Sequence, residues 1–121
     1  PWNGGYKDDV QKLGKHDLHL LGWTGDYNDA GNFVGTFFGR EKAEFGFGEQ
    51  SLFAEIAAAD GVVDQDKHAD AYEQVNRDLM SKYLPAIPVS HSPPAIVVSS
   101  KISGLVPSPL TDERFDTVSK G

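Results

Sequence analysis

The run at residues 18–38, LHLLGWTGDYNDAGNFVGTFF, constrains this chain more than any other stretch. Leu18, Leu20 and Leu21 carry the apolar weight of a strand expected over residues 17–23, with Gly22 loosening its end at Trp23. Residues 25–31 are turn formers, several with side chains able to bond nearby backbone N–H groups. Asn32 is placed to cap a short helical turn holding Phe33, Val34, Phe37 and Phe38. Strand, polar loop and helix in that order describe an α/β unit. They set an aromatic ring, Trp23, and a carboxylate, Asp26, at the mouth of a strand, where α/β proteins usually hold their ligands. A carboxylate there implies a ligand carrying an amine or another cation.

With 121 residues the chain has room for one modest domain. Eighteen acidic against eleven basic residues give a formal charge of -7, which disfavours nucleic acid or an anionic membrane as the main partner. No window of the sequence approaches the apolar length of a membrane-spanning helix. The absence of cysteine excludes a disulfide, a thiolate nucleophile and a Cys-based metal site. The opening Pro1-Trp2-Asn3 has neither an initiator Met nor a basic-apolar leader, so the expectation is a processed chain or a fragment of a longer protein.

The remaining pattern is helical first and extended later. Tyr6, Val10 and Leu13 give a short helical pattern near residues 8–13, with Gly14 as its stop. Residues 39–50 read as a surface excursion anchored by Phe45 and Phe47. Ser51 can cap a helix whose Leu52, Phe53, Ile56 and Ala57 share one side, ending near Gly61. Asp64 or Asp66 begins a longer helix reaching about Tyr83, with Ala71, Val75 and Leu79 on its apolar period and Tyr72 and Tyr83 beside them. Pro85 and Pro88 stop that helix and bracket an extended segment over residues 86–91. Ile96, Val97 and Val98 form a further strand, expected to lie antiparallel to it. The tail over residues 105–121, with Phe115 as its largest apolar side chain, cannot build a core of its own.

From residue 17 onward this order of features resembles the C-terminal part of the family 5 extracellular solute-binding proteins, the peptide and nickel receptors of ABC importers. It is most similar to the dipeptide-binding and oligopeptide-binding members. The carrying motif is GWTGDYNDAGNF at residues 22–33, followed by Phe37-Phe38. Tyr72, Met80, the LPAIPVSH run at residues 84–91, Val98, the ISGL run at residues 102–105, Pro109 and Phe115 support it. The resemblance implies an α/β chain forming part of the second lobe of a two-lobed, class II periplasmic-binding-protein-like fold. Residues 1–104 would be the lobe segment, and residues 105–121 a tail returning toward the absent first lobe.

The resemblance also implies a function: capture of short peptides by their free amino terminus and delivery to the permease subunits of an ABC importer. No cofactor, metal or enzymatic step is expected, and the protein would be a monomer. Its place would be the periplasm or the outer face of the membrane, with any lipid anchor on the missing N-terminus. Asp26 falls on the aspartate that pairs with the peptide ammonium, and Trp23 on a tryptophan lining the cleft, where its ring can stack while its indole N–H bonds a carbonyl. Tyr27 and Asn28 are further candidates for peptide contact, with structural turn roles as the alternative. Family members usually carry a proline where this chain reads Ala30-Gly31, and the arginine that pairs with the peptide carboxylate would lie upstream.

Other chemistries fit less well. Asp29 reads as a loop-bonding or helix-start residue, and Asp60, Asp64 and Asp66 lack the spacing of an EF-hand and read as caps. His16 and His19 are expected to point apart, one flanking and one entering a strand; His68 stands alone on the polar side of a helix, and His91 is structural or interlobe. No G-x-S-x-G elbow or phosphate loop occurs, and Asp26 and Asp29, in one loop, are a poor glycosidase pair. The alternatives are another solute on the same lobes (an oligosaccharide, haem or a nickel complex) or a non-transport domain whose Trp23 loop recognises a protein.

Overall fold

A computed structural model describes residues 4–10, 12, 16–42, 46–110 and 112–121. The elements in order are helices α1 (Tyr6–Val10), α2 (Ala30–Phe38), α3 (Gln50–Asp60) and α4 (Gln65–Asp78), a π-helical turn (Leu79–Tyr83), and strands β1 (Ile102–Ser103) and β2 (Ser119–Lys120). Leu13, Gly14 and Phe45, which the sequence pattern assigned to a helix, its stop and an anchor, lie outside the described residues.

Local chemistry sets most helix ends. Asp29, in an extended conformation, accepts the Gly31 N–H at 2.7 Å and so starts α2 at Ala30. Asn32, expected as the cap, is therefore inside the first turn, and it is buried. Asp64 caps α4 in the same way, taking the Lys67 N–H at 3.1 Å. Helix α3 starts after Glu49, which makes no side-chain cap, and Ser51 is within its first turn. The long helix expected to run evenly to Tyr83 changes to π geometry at Leu79. It ends at Leu84, which takes the left-handed conformation (φ 50°), because the following Pro85 disfavours right-handed helix there.

Helices α2, α3 and α4 pack on one another around Val34, Leu52, Ile56, Ala59, Tyr72, Val75 and Leu79. Leu52, Ile56 and Ala59 recur at the spacing of one helix face, so Ala59 takes the buried place expected of Ala57. Each large aliphatic side chain in this group contributes about 1.5–3 kcal/mol by leaving water. Phe38, Phe47, Ala71 and Tyr83 pack against the same cluster. Phe47 meets Phe38 and Phe53 edge-on, with ring centroids 6.4 and 6.2 Å away. Of the three phenylalanines of α2, Phe37 and Phe38 are half-buried while Phe33 is exposed.

The strands expected over residues 17–23, 86–91 and 96–98 form no ladder among the described residues. A strand exists only beside a second backbone about 4.8 Å away, and these segments have none among the described residues. The backbone of Leu20 instead bonds twice to one phenol: its N–H donates to Tyr6 Oη at 3.1 Å and its carbonyl accepts from it at 2.6 Å. Several apolar side chains of these segments are left in solvent, with Leu18 90% and Val97 98% exposed. The ladder that does form is antiparallel, Ile102 opposite Lys120 and Ser103 opposite Ser119, so the end of the tail folds back onto residues 102–103. At its edge Gly104 (φ 80°) sits where an added Cβ would collide with the Thr117 carbonyl. The described part is thus a three-helix cluster with irregular arms, the helical share of the α/β expectation.

Candidate functional site

Trp23 and Asp26 line one groove of about 560 Å³ together with Gly22, Thr24, Ser90 and Ser92. The chain turns from the irregular arm into α2 here, and Gly25 makes the turn possible. Gly25 is buried, and a Cβ on it would lie 3.0 Å from the ring of Phe33. Ser90 and Ser92 come from the segment after Pro88, more than sixty residues later, and complete the lining of the groove.

A single buried oxygen organises the loop. Asn32 Oδ1 accepts the Trp23 indole N–H at 2.8 Å and the Asp26 backbone N–H at 3.0 Å. The Trp23 ring meets the edge of Phe37 at 5.7 Å between centroids and an interplanar angle of 87°. The indole N–H expected to reach a ligand carbonyl is therefore already engaged, and the exposed part of the ring is what faces the groove. The Asp26 side chain is exposed, and its carboxylate has no hydrogen bond or ion pair among the described residues.

Tyr27 and Asn28 are placed differently. Tyr27 is exposed and lines a second groove of about 410 Å³, with Asp29, Thr36, Arg40, Lys42 and Asp60 among its walls. Asn28 is exposed and lines neither groove. Asp29 is the helix-start residue expected of it, and its second oxygen, Oδ2, lies 3.0 Å from His68 Nε2. His68 is thus paired across the helices and not alone on a polar face. Below it Tyr72 donates its phenol to Asp60, and burial followed by the Asp60 carboxylate pushes the Tyr72 pKa well above its ordinary value. Gly31 lies against this group; a Cβ there would come within 2.7 Å of Tyr72 Oη.

The other histidines depart from expectation in one respect. His16 Nε2 and His19 Nδ1 are 2.9 Å apart, with the rings edge to face, because residues 16–19 lack the alternation of a paired strand that would separate them. Among the described residues no group of three His, Cys, Asp or Glu side chains could hold a metal ion. No helix among them is long and apolar enough to cross a membrane. Sequence reasoning missed Asn32 as an organiser; the available signal was an amide between Gly31 and Phe33-Val34, on a helix otherwise without polar side chains in that turn. Ser90 and Ser92 carried no local signal at all.

Comparison with known proteins completes the description. Over 113 residues the chain is 30% identical to the dipeptide-binding protein of Escherichia coli K12, covering 89% of this chain and 21% of that protein. It is 32% identical over 113 residues to di/tripeptide-binding protein 4 of Pseudomonas aeruginosa UCBPP-PA14, with the same coverage, 89% and 21%. Heme-binding protein A of Haemophilus influenzae matches at 28% over 112 residues, 89% of this chain and 20% of the relative. The chain therefore spans about a fifth of the length of the curated relatives it matches. No family model and no solved structure matches it. The relatives are binding proteins by name, and the chain belongs with the family 5 extracellular solute-binding proteins, as a stretch matching about a fifth of the length of their dipeptide-binding members.

Proposed function

We propose that this chain is the C-terminal portion of a peptide receptor, part of the second of two lobes that close on a short peptide outside the membrane and deliver it to an ABC permease. The observation that carries this reading is the Asp26 carboxylate, without a partner among the described residues, beside a tryptophan whose ring alone is free to meet a ligand. A peptide α-ammonium answers both: it gives the carboxylate charge-assisted hydrogen bonds and suits the electron-rich ring face. Closure removes water from the groove, which strengthens the ion pair and leaves an uncompensated carboxylate in any complex lacking the amine. That difference is the source of selectivity for a free amino terminus. No bond is made or broken.

In this reading residues 1–104 belong to the lobe and residues 105–121 form the tail that meets the first lobe, where the exposed Phe115 and Val106 supply apolar surface. The apolar arms at residues 17–23 and 86–98 would be covered by the rest of the lobe. The protein acts as a monomer in the periplasm or on the outer face of the cell membrane, lipid-anchored through its N-terminus where the envelope requires it. The names of the relatives, dipeptide- and di/tripeptide-binding proteins, support peptides as the solute class.

Calorimetry on the full-length protein tests the proposal, with free and N-acetylated di- and tripeptides and with Asp26→Asn alongside. The expected result is tight binding of free-amine peptides, lost on acetylation and reduced at least a hundredfold by the substitution, about 3 kcal/mol for a desolvated charge pair. Binding indifferent to both changes would sink the role of Asp26. The match to a heme-binding protein favours a second reading, a non-peptide solute on the same lobes, and haem titration in the same cell separates the two.

A further inference from the structure

Asn32 is 2% exposed, the one polar side chain among the buried residues of α2, and neither of its two acceptor bonds serves the helix it belongs to. A buried amide must find its partners inside the protein, and a carbonyl oxygen offers two lone pairs. Both are used on the groove loop: one holds the Trp23 indole N–H at 2.8 Å, the other the Asp26 backbone N–H at 3.0 Å. The backbone of Asn32 is in turn bonded to the Asp29 carbonyl at 3.1 Å, and the Asp29 side chain is held by Gly31 N–H and His68.

We propose that Asn32 is the positioning residue of the groove: its one oxygen sets the Trp23 ring and the Asp26 main chain in a fixed relation, and confines Trp23 to recognition through its ring. Gly25 lies between them and Gly22 just before Trp23, and no helix or ladder holds this loop. Without the amide, the ring could rotate about its side-chain torsions and Asp26 could swing with its backbone. Free rotation would spread the two recognition groups over many arrangements, and a ligand would have to order them at its own entropic cost. With the amide in place, a cationic group meets ring and carboxylate already set. The ligand's identity rests on the peptide reading above; the clamp itself does not.

The test uses hydrogen exchange followed by two-dimensional NMR on the full-length protein, reading the Trp23 indole N–H and the Asp26 amide. Both are expected to exchange at least tenfold more slowly than an unstructured reference in the unmodified protein. Asn32→Leu removes the oxygen and should release both protons at least tenfold, whereas Asn32→Asp keeps an acceptor in place and should hold them. Ile56→Val, a core change with no link to the groove, should leave both untouched, so a general loosening is distinguished from loss of the clamp. Unprotected protons in the unmodified protein, or protection unchanged in Asn32→Leu, would overturn the proposal. Should Asn32→Leu fail to fold, the unmodified protein and Asn32→Asp decide the question. In the same full-length protein, free-amine dipeptide affinity should fall about tenfold in Asn32→Leu and recover in Asn32→Asp; an unchanged affinity overturns the positioning role. Absence of any peptide binding by the unmodified protein would remove the peptide reading and leave the exchange result to judge the clamp.

Discussion

His68 Nε2 lies 3.0 Å from Asp29 Oδ2, an ion-pair distance that joins the first turn of α4 to the N-terminus of α2 across 39 residues of sequence. His68 Nδ1 is buried without a hydrogen-bond partner among the described residues, so the neutral ring is assigned as the Nε2–H tautomer donating to the carboxylate. The same carboxylate caps α2 through its other oxygen. One side chain thus starts a helix and ties it to another.

Asp29→Ala should lower the unfolding free energy by about 1–2 kcal/mol through loss of the cap. Asp29→Asn should recover most of that, since an amide oxygen also caps, while giving up the charge opposite His68. Urea unfolding of the three chains reads this order, and an alanine variant as stable as the parent would remove Asp29 from the account.

Tyr72 makes stability depend on alkaline pH. Burial, with the Asp60 carboxylate behind it, raises the folded pKa above the unfolded value of 10.0. The folded chain therefore keeps a proton that the unfolded chain releases. The corresponding stability is complete below pH 10 and declines above it, by at most about 1.4 kcal/mol per pH unit. Tyr72→Phe loses the hydrogen bond, about 1 kcal/mol at neutral pH, and should flatten that alkaline decline. Denaturant midpoints taken from pH 8 to 11.5 compare the two slopes; equal slopes would mean that Tyr72 does not titrate in this way.

Leu52 is fully buried between the helices, and Leu52→Ala should cost about 2–5 kcal/mol, against about 0.5–1.5 for Ile56→Val. Val97→Ala, at a fully solvated position, should stay within about 0.5 kcal/mol in this chain. In the full-length protein the proposed lobe would cover Val97, and there the same change should be clearly destabilising. Equal effects in the two settings would count against that burial.

Leu84 holds a left-handed conformation at φ 50° while its side chain is exposed. Leu84→Gly relieves strain of about 1 kcal/mol and surrenders little burial, with some loss to the greater freedom of the unfolded chain. The expected net effect is a small rise in thermal midpoint; a fall would show that the Leu84 side chain packs to more effect than its exposure indicates.

Helix positions were legible in the residues because their determinants are local. The 3.6-residue spacing of Leu52, Ile56, Tyr72, Val75 and Leu79, Asp64 as a cap, and Gly61 and Pro85 as stops act over a few residues each. The placement of Trp23 beside Asp26 was legible for the same reason, being four residues long. Asn32 was misread as a cap because the sequence offers two candidates, and the competition was won by Asp29, whose carboxylate reaches the Gly31 N–H. The apolar runs at residues 17–23 and 86–98 show a different limit. Periodicity describes what a segment can pair with, not whether a partner is there.

The amino-acid order by itself determined the helical segments, the apolar faces they bury and the aromatic–acidic loop ahead of α2, since each depends on neighbours along the chain. Only the tertiary structure decided that Ser90 and Ser92 share a groove with Trp23, that His68 meets Asp29, and that one buried oxygen of Asn32 serves two groups of the groove. Those relations join residues through space, across helices and irregular segments whose mutual placement depends on the whole fold, and no local pattern encodes them.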